Sequence, residues 1–288
     1  MSCELLDGKK VAHEWKCKLK SLIEFHMKED PTVRTPKLVI FHNGNGDASK
    51  VYMKNKVKAC TEVGINCEII EVNHRVFQIP DSADGAILQL PVENDTIKDV
   101  FLKKVYPTND VDGLSIYSKG HLFNGTKYNI ENFEDNTFYN IPCTPMGIMN
   151  LLKEYNIELE GKHVVIVGRS ELVGKPLAML MLNKNATVTI CHSKTVHLDK
   201  IMQNADIVVT AIGKANYFDY TYFKKDAILI DVSINRDENG KLCGDVNTDK
   251  LDDILSYRTP VPGGVGPLTV VSLLWNTYFS WRYNFFGY

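Results

Sequence analysis

The sequence is short of several things, and each shortage excludes something. It has almost no net charge: 33 Lys and Arg stand against 35 Asp and Glu, a balance of −2. Nothing in that balance argues for a nucleic-acid or membrane surface. Seven cysteines lie scattered at 3, 17, 60, 67, 143, 191 and 243, an odd count with no Cys-x-x-Cys. A disulfide framework, a zinc knuckle or any other metal site is therefore not expected, and reduced thiols in a cytosol fit best. The opening stretch MSCELLDGKKVAHEWKCK lacks the apolar core of a secretory signal. No uninterrupted apolar run is long enough to cross a bilayer. The greasiest stretch, TVVSLLWNTYFSWRYNFFGY, carries Asn276, Arg282 and Asn284 and reads as a packing C-terminal helix with an aromatic end. There is no internal repeat and no low-complexity linker.

What is present is the grammar of an α/β protein. The 288 residues, 44% hydrophobic and 24% charged, suit one large or two ordinary globular domains. Residues 9–28 place Val11, Trp15, Leu19, Leu22 and Ile23 at helical spacing. Strands are expected at 36–44, 66–73 and 84–92, with helices at 49–64, stopped by Gly64, and at 95–107, stopped by Pro107. The polar, Asn-rich stretch 114–141 breaks the rhythm and marks a domain boundary. A helix then starts in PCTPMGIMNLLKEYN (142–156), with Thr144 expected as N-cap and Pro145 at the first helical position. Four Val/Ile-rich runs follow at 162–168, 186–192, 206–213 and 227–234. Near-continuous apolar runs mean strands buried on both faces, as in a doubly wound parallel sheet. The fold class is thus α/β with two domains, the second Rossmann-like.

In such sheets the ligand sits beyond the carboxyl ends of the strands. After the first strand of the second half comes GRSELVGKP, from Gly168 to Pro176. Glycine lets backbone approach a phosphate, and the following helix N-terminus favours negative charge. Five residues separate Gly168 from Gly174, and Lys175 is followed by Pro176, so the magnesium-binding hydroxyl of a P-loop is missing. The middle glycine of G-x-G-x-x-G is missing as well, and a plain strand-to-helix turn is the bland alternative. After the second strand stand Ser193 and Lys194 rather than an acidic residue. With Arg169 in the first loop, these lean towards a 2′-phosphate, hence NADP rather than NAD. The third and fourth strands end at Gly213 and Ile234, two positions able to line a nicotinamide pocket. Downstream, three glycines and three prolines fall between Pro260 and Leu268, making a stiff loop that shapes a ligand or simply connects domains.

The stretch VYMKNK (51–56) sets Tyr52 and Lys56 four residues apart, on one face of a helix. Residue type alone favours a solvated basic helix face over the wall of a site. The wider pattern decides. VYMKNKVKAC, LQLPV, NDVDGL, PCTPMGI, the long block from Gly168 to Thr195, ADIVVTAIGK, IDVSINR, GDVN and TPVPGGVGPLTV occur in order over residues 49–270. With them the chain resembles the bifunctional methylenetetrahydrofolate dehydrogenase/methenyltetrahydrofolate cyclohydrolase (FolD) family.

The resemblance implies a fold and a reaction. A folate-binding domain would cover 1–140, completed by the last helix at 266–288 packing back on it, and an NADP-binding domain would cover 141–265. The enzyme would oxidise 5,10-methylenetetrahydrofolate with NADP and hydrolyse the methenyl product to 10-formyltetrahydrofolate, both at one folate site, as a homodimer. It further implies that Tyr52 stacks on the folate and that Lys56 is the general acid/base of the hydrolysis. Gln89 would orient Lys56, and Asp112 would accept hydrogen bonds from the pterin. Leu88, Leu90 and Pro262, Gly263, Gly264, Val265 and Gly266 would line the folate. Gly168, Arg169, Ser170, Gly174, Ser193, Gly213 and Ile234 would meet the cofactor. A monofunctional dehydrogenase of the same family and a non-catalytic NADP-binding regulator are the alternatives. The chain departs from the family pattern in Glu93 and Asn94 after LQLPV, in GLSIYSKGHLFNG after DVDG, in Ser233 within DVSINR and in its aromatic tail.

Overall fold

The computed structural model describes residues 3–44, 47–72, 78–92, 94–125 and 138–287. Parts of some expectations fall outside the described residues: the end of the 66–73 strand, Glu93, and 126–137 of the Asn-rich stretch. In chain order the elements begin with β1 (Glu4–Leu5), α1 (Gly8–Glu29), β2 (Lys37–His42), α2 (Asp47–Val63), β3 (Asn66–Glu71) and β4 (Gly85–Leu88). Then come α3 (Asp95–Lys104), α4 (Ile116–Phe123), α5 (Cys143–Glu154), β5 (His163–Val167), α6 (Gly174–Leu182), β6 (Thr187–Cys191) and α7 (Leu198–Met202). The chain closes with β7 (Ile207–Thr210), β8 (Ile228–Asp231), β9 (Asn235–Arg236), β10 (Leu242–Cys243), β11 (Tyr257–Arg258) and α8 (Val265–Phe286). The helix–strand alternation read from sequence is present throughout.

Local chemistry sets the element ends. Gly64 takes a left-handed φ of +85° and ends α2. The Asn94 side chain accepts from the Thr96 amide and starts α3. One expected cap is corrected. The helix containing Thr144 already starts at Cys143, and the Thr144 hydroxyl shares a 2.9 Å hydrogen bond with the Thr269 hydroxyl. Pro145 therefore sits one turn in, where its missing N–H still has no intrahelical partner to lose.

The chain divides into two compact units. The first comprises residues 13–143 and 270–288. Its sheet is parallel, in the order β3-β2-β4. Val39, Phe41, Ala86, Leu88, Ile97 and Phe101 form one buried core against it. The later part of α8 belongs here, and its stretch 271–281 is buried on all sides: Tyr278 and Trp281 are fully enclosed. Asn276 on this helix donates to the carbonyls of Val111 (2.8 Å) and Ile141 (2.9 Å), and His26 on α1 bonds the Tyr278 hydroxyl at 3.0 Å. The last helix thus packs on this unit, as expected.

A buried ion pair anchors the same sheet. Asp84 has no exposed surface. It receives both guanidinium nitrogens of Arg34, at 2.6 and 2.9 Å, and the Lys37 amide at 2.8 Å. Removing the arginine leaves a buried carboxylate half-satisfied. Arg34 is itself partly exposed, so solvent takes up part of the loss. Arg34→Ala is expected to cost about 2 kcal/mol, read as a lower midpoint in urea unfolding.

The second unit comprises residues 1–12 and 144–269. Its six-stranded sheet has the order β1-β11-β8-β7-β5-β6, every pair parallel. The first residues of the chain, expected with the folate domain, lie here instead, because β1 hydrogen-bonds along β11. The boundary in the last helix falls after residue 269. β6 lies on one side of β5 and β7 on the other. The strand order therefore reverses at β5, and the crevice between the carboxyl ends of β5 and β7 is where a doubly wound sheet binds its ligand.

Candidate active site

In the first unit, α2 carries Tyr52 and Lys56 one turn apart, with the Tyr52 ring 53% exposed and Lys56 partly buried. The Lys56 Nζ donates to Gln89 Oε1 at 2.9 Å. The other end of that amide is pinned as well, because Gln89 Nε2 donates to the Leu90 carbonyl at 2.6 Å. Gln89 is nearly buried and follows directly on β4. It is a neutral acceptor held in one orientation, aimed at the amine. Leu90–Pro91 is a cis peptide. Leu88 is buried in one core cluster with Phe41 and Phe101. Leu90 stays partly exposed.

Asp112 completes the group. Burial pushes its carboxyl up to about 6, the nearby Lys56 charge and a Cys143 hydrogen bond oppose that rise, and the Asp110 charge adds to it. The loop that holds it is tightly built. Gly113 takes φ +66°, and a Cβ there would come within 2.6 Å of the Asn140 carbonyl, so glycine is required. The Asp110 carboxylate accepts from the amides of Leu114 (3.0 Å) and Ser115 (2.8 Å) and from the Ser118 hydroxyl (2.7 Å). The Cys143 thiol donates to the Val111 carbonyl at 3.3 Å and reaches Asp112 Oδ1 at 3.8 Å.

Sequence reasoning missed Asp110, Cys143 and Asn276 as supports of Asp112. For Asp110 a signal existed, since an aspartate four and five residues ahead of Leu114 and Ser115 can cap the turn into α4. Cys143 and Asn276 carry no local signal.

The remaining sequence-predicted residues lie in the second unit. Gly263 takes φ +109°, and Val261–Pro262 is a cis peptide. The Gly263 carbonyl accepts from the Lys9 amide at 2.8 Å. Gly264 is packed against Pro260 and Thr259 with no room for a Cβ. Val265 is buried at the start of α8, while Pro262 is exposed. A Cβ on Gly266 would stand 3.1 Å from Ile234 Cδ1. The glycine-proline loop and Ile234 therefore share one neighbourhood.

At the crevice, Gly168 ends β5 with φ +142°, and a Cβ there would come within 2.6 Å of the Ala211 carbonyl. A Cβ on Gly174 would collide with the Gly168 carbonyl. Ser170 Oγ accepts from the Val173 amide at 3.1 Å and stands 3.5 Å from the Gly174 amide, tightening the turn into α6. Arg169, Ser170 and Ser193 are all exposed, on the loops after β5 and β6. Bare backbone at the switch point, a helix N-terminus behind it and no acidic residue after β6 fit a dinucleotide carrying a 2′-phosphate.

One unit with a doubly wound parallel sheet and a glycine turn at its switch point, and another that holds a lysine, a glutamine and a partly buried aspartate, define a two-unit dinucleotide-binding α/β protein. The chain belongs to the tetrahydrofolate dehydrogenase/cyclohydrolase family: residues 6–112 match its catalytic domain and residues 142–285 its NAD(P)-binding domain. It is 42% identical over 286 residues to the Bifunctional protein FolD of Streptococcus thermophilus, covering 95% of this chain and 96% of that one. Among solved structures it resembles the bifunctional methylenetetrahydrofolate dehydrogenase/cyclohydrolase FolD of Campylobacter jejuni, with a TM-score of 0.90 and 37% identity over 98% of this chain and 100% of that one. It also resembles the Trypanosoma brucei FolD complexed with NADP and an inhibitor, with a TM-score of 0.88 and 30% identity over 99% of each chain.

Proposed function

We propose that the protein oxidises 5,10-methylenetetrahydrofolate to the 5,10-methenyl form with NADP and hydrolyses the methenyl form to 10-formyltetrahydrofolate. The observation that carries this is the Lys56 Nζ–Gln89 Oε1 bond of 2.9 Å near the partly buried Asp112, in a chain of this family. Asp112 binds the pterin: its two oxygens accept from the exocyclic amino group and the adjacent ring N–H. Tyr52 lays its exposed ring on the folate. When bound, the nicotinamide of NADP takes up the hydride that leaves the methylene carbon. The folate nitrogen's lone pair drives that departure, so the protein mainly positions the partners.

Hydrolysis asks more of the side chains. A water oxygen bonds to the methenyl carbon while its proton passes to the Lys56 amine. The carbon–N5 bond then breaks as the new hydroxyl becomes the formyl carbonyl and N5 takes a proton back through Lys56. The balance is one water consumed and one proton released. Gln89 keeps the amine in place through both transfers.

Gly168, Gly174 and Ser170 would receive the pyrophosphate at the α6 N-terminus, and Arg169 and Ser193 the 2′-phosphate. Gly213 and Ile234 would flank the nicotinamide, and Pro262–Gly266 the folate. The protein works in the cytoplasm as a homodimer. The edge strand β6, with Ile190 turned outward, supports a partner copy on this unit, and light scattering would test it. No described helix is long and apolar enough to cross a membrane.

The test is product analysis. With NADP and 5,10-methylenetetrahydrofolate, equal amounts of reduced cofactor and 10-formyltetrahydrofolate are expected. Reduced cofactor with methenyltetrahydrofolate accumulating would mean a monofunctional dehydrogenase. No reduced cofactor with NADP or NAD, from protein that binds NADP, would mean a non-catalytic regulator.

A further inference from the structure

The loop after β7 has three consecutive amides, and none of them faces outward unpaired. Ile212 N–H donates to Asp245 Oδ2 at 2.7 Å and Lys214 N–H to Asp245 Oδ1 at 2.8 Å. Between them, Gly213 N–H donates to Ser233 Oγ at 3.1 Å. The Ser233 hydroxyl in turn donates a hydrogen bond to Asp245 Oδ2 at 2.8 Å, and Asn235 Nδ2 adds a further donor to Oδ1 at 3.0 Å. Asp245 is fully buried. Its own backbone is fixed from below, because the Asp231 carboxylate accepts from the amides of Asp245 (3.1 Å) and Val246 (3.0 Å). A Cβ on Gly244 would collide with that carboxylate.

This cluster sits where a ligand must pass. Gly213 and Ser233 follow the carboxyl ends of β7 and β8. β7 borders the switch-point crevice, on the side opposite β6. β6 governs the adenosine half in a sheet of this kind, so the β7–β8 side receives the nicotinamide half. A run of amides there would otherwise attract an anion. With all three spent on Asp245 and Ser233, the backbone has only carbonyl oxygens and the bare Gly213 Cα to offer. Carbonyls accept from the NH₂ of a neutral carboxamide and repel a carboxylate.

We propose that Ser233 is a positioning residue for the nicotinamide half of the cofactor: by taking the Gly213 N–H and bridging it to Asp245, it fixes the 212–214 backbone in the conformation that receives the carboxamide. The proposal rests on the NAD(P)-binding unit alone and needs no assumption about the folate chemistry.

Calorimetric titration of the whole protein tests it, with NADP and, separately, with adenosine 2′,5′-bisphosphate, which carries the adenosine half and no nicotinamide. Ser233→Ala removes two hydrogen bonds: the Gly213 amide loses its acceptor and Asp245 loses the hydroxyl donor. NADP affinity is expected to fall about fivefold while affinity for the bisphosphate stays unchanged. A loss shared equally by both ligands would show a general loosening of the unit and overturn the proposal. Unchanged affinity for both would overturn it as well.

Discussion

Lys56→Met abolishes the cyclohydrolase and spares the dehydrogenase. The expected loss is about a thousandfold or more in the rate of methenyltetrahydrofolate hydrolysis, within the range that one positioned acid/base group supplies. Loss of the dehydrogenase is expected to stay within about tenfold, because hydride departure is driven by the substrate's own nitrogen and depends on orientation. The asymmetry follows from geometry. Among the described residues the Lys56 amine hydrogen-bonds the neutral Gln89 amide at 2.9 Å, and methionine keeps an unbranched stem while deleting the amine. Both rates are read from one preparation by absorbance. Equal collapse of the two would mean that Lys56 holds the folate rather than moving protons. Gln89→Ala should then behave as a weaker copy of the same split, since the amine remains but loses its anchor.

Asp112→Asn gives the second large effect, in binding rather than turnover. One oxygen that accepts from the pterin becomes an NH₂ facing a donor, which costs a charge-assisted bond and adds a repulsion. The folate KM is expected to rise about a hundredfold. Its pH dependence changes too. Burial lifts the Asp112 carboxyl to about 6, so the wild-type KM should climb as pH falls through that value and the acceptor gains a proton. The Asn variant has no such limb. Stability moves the other way. A carboxyl raised in the folded state contributes stability that is present below its ordinary acid range and is lost as pH rises through about 6. Asp112→Asn should therefore melt higher than wild type at neutral pH, with the gap narrowing as pH falls below about 6 and closing only below the ordinary aspartate range. A variant less stable at both values would show that Asp112 is structural.

The elements that were legible in the sequence are those with a period long enough to see. The Val/Ile runs became β5 to β8 with ends trimmed by one to three residues, and the face shared by Tyr52 and Lys56 followed from helical spacing alone. Strands of two residues, such as β1 and β11, have no period to read, so the pairing of the chain's first residues with the six-stranded sheet left no signal in the sequence. Thr144 had the right chemistry for a cap, but its hydroxyl found Thr269, far along the chain. Of the candidate site, Lys56 and Gln89 are brought within a hydrogen bond, and Asp112 lies close enough to feel the Lys56 charge. The supports of Asp112 stayed hidden, because Cys143 and Asn276 reach the Val111 carbonyl from 32 and 165 residues away.

The most direct measurement is a crystal structure of the protein with NADP and a non-hydrolysable folate analogue. The pterin's amino group and ring N–H should both lie within hydrogen-bond distance of the Asp112 carboxylate, with Lys56 Nζ beside the carbon that is hydrolysed and Tyr52 stacked on the ring. A pterin bound away from Asp112, or a bridging carbon out of reach of Lys56, would contradict the assignment of this group as the catalytic centre.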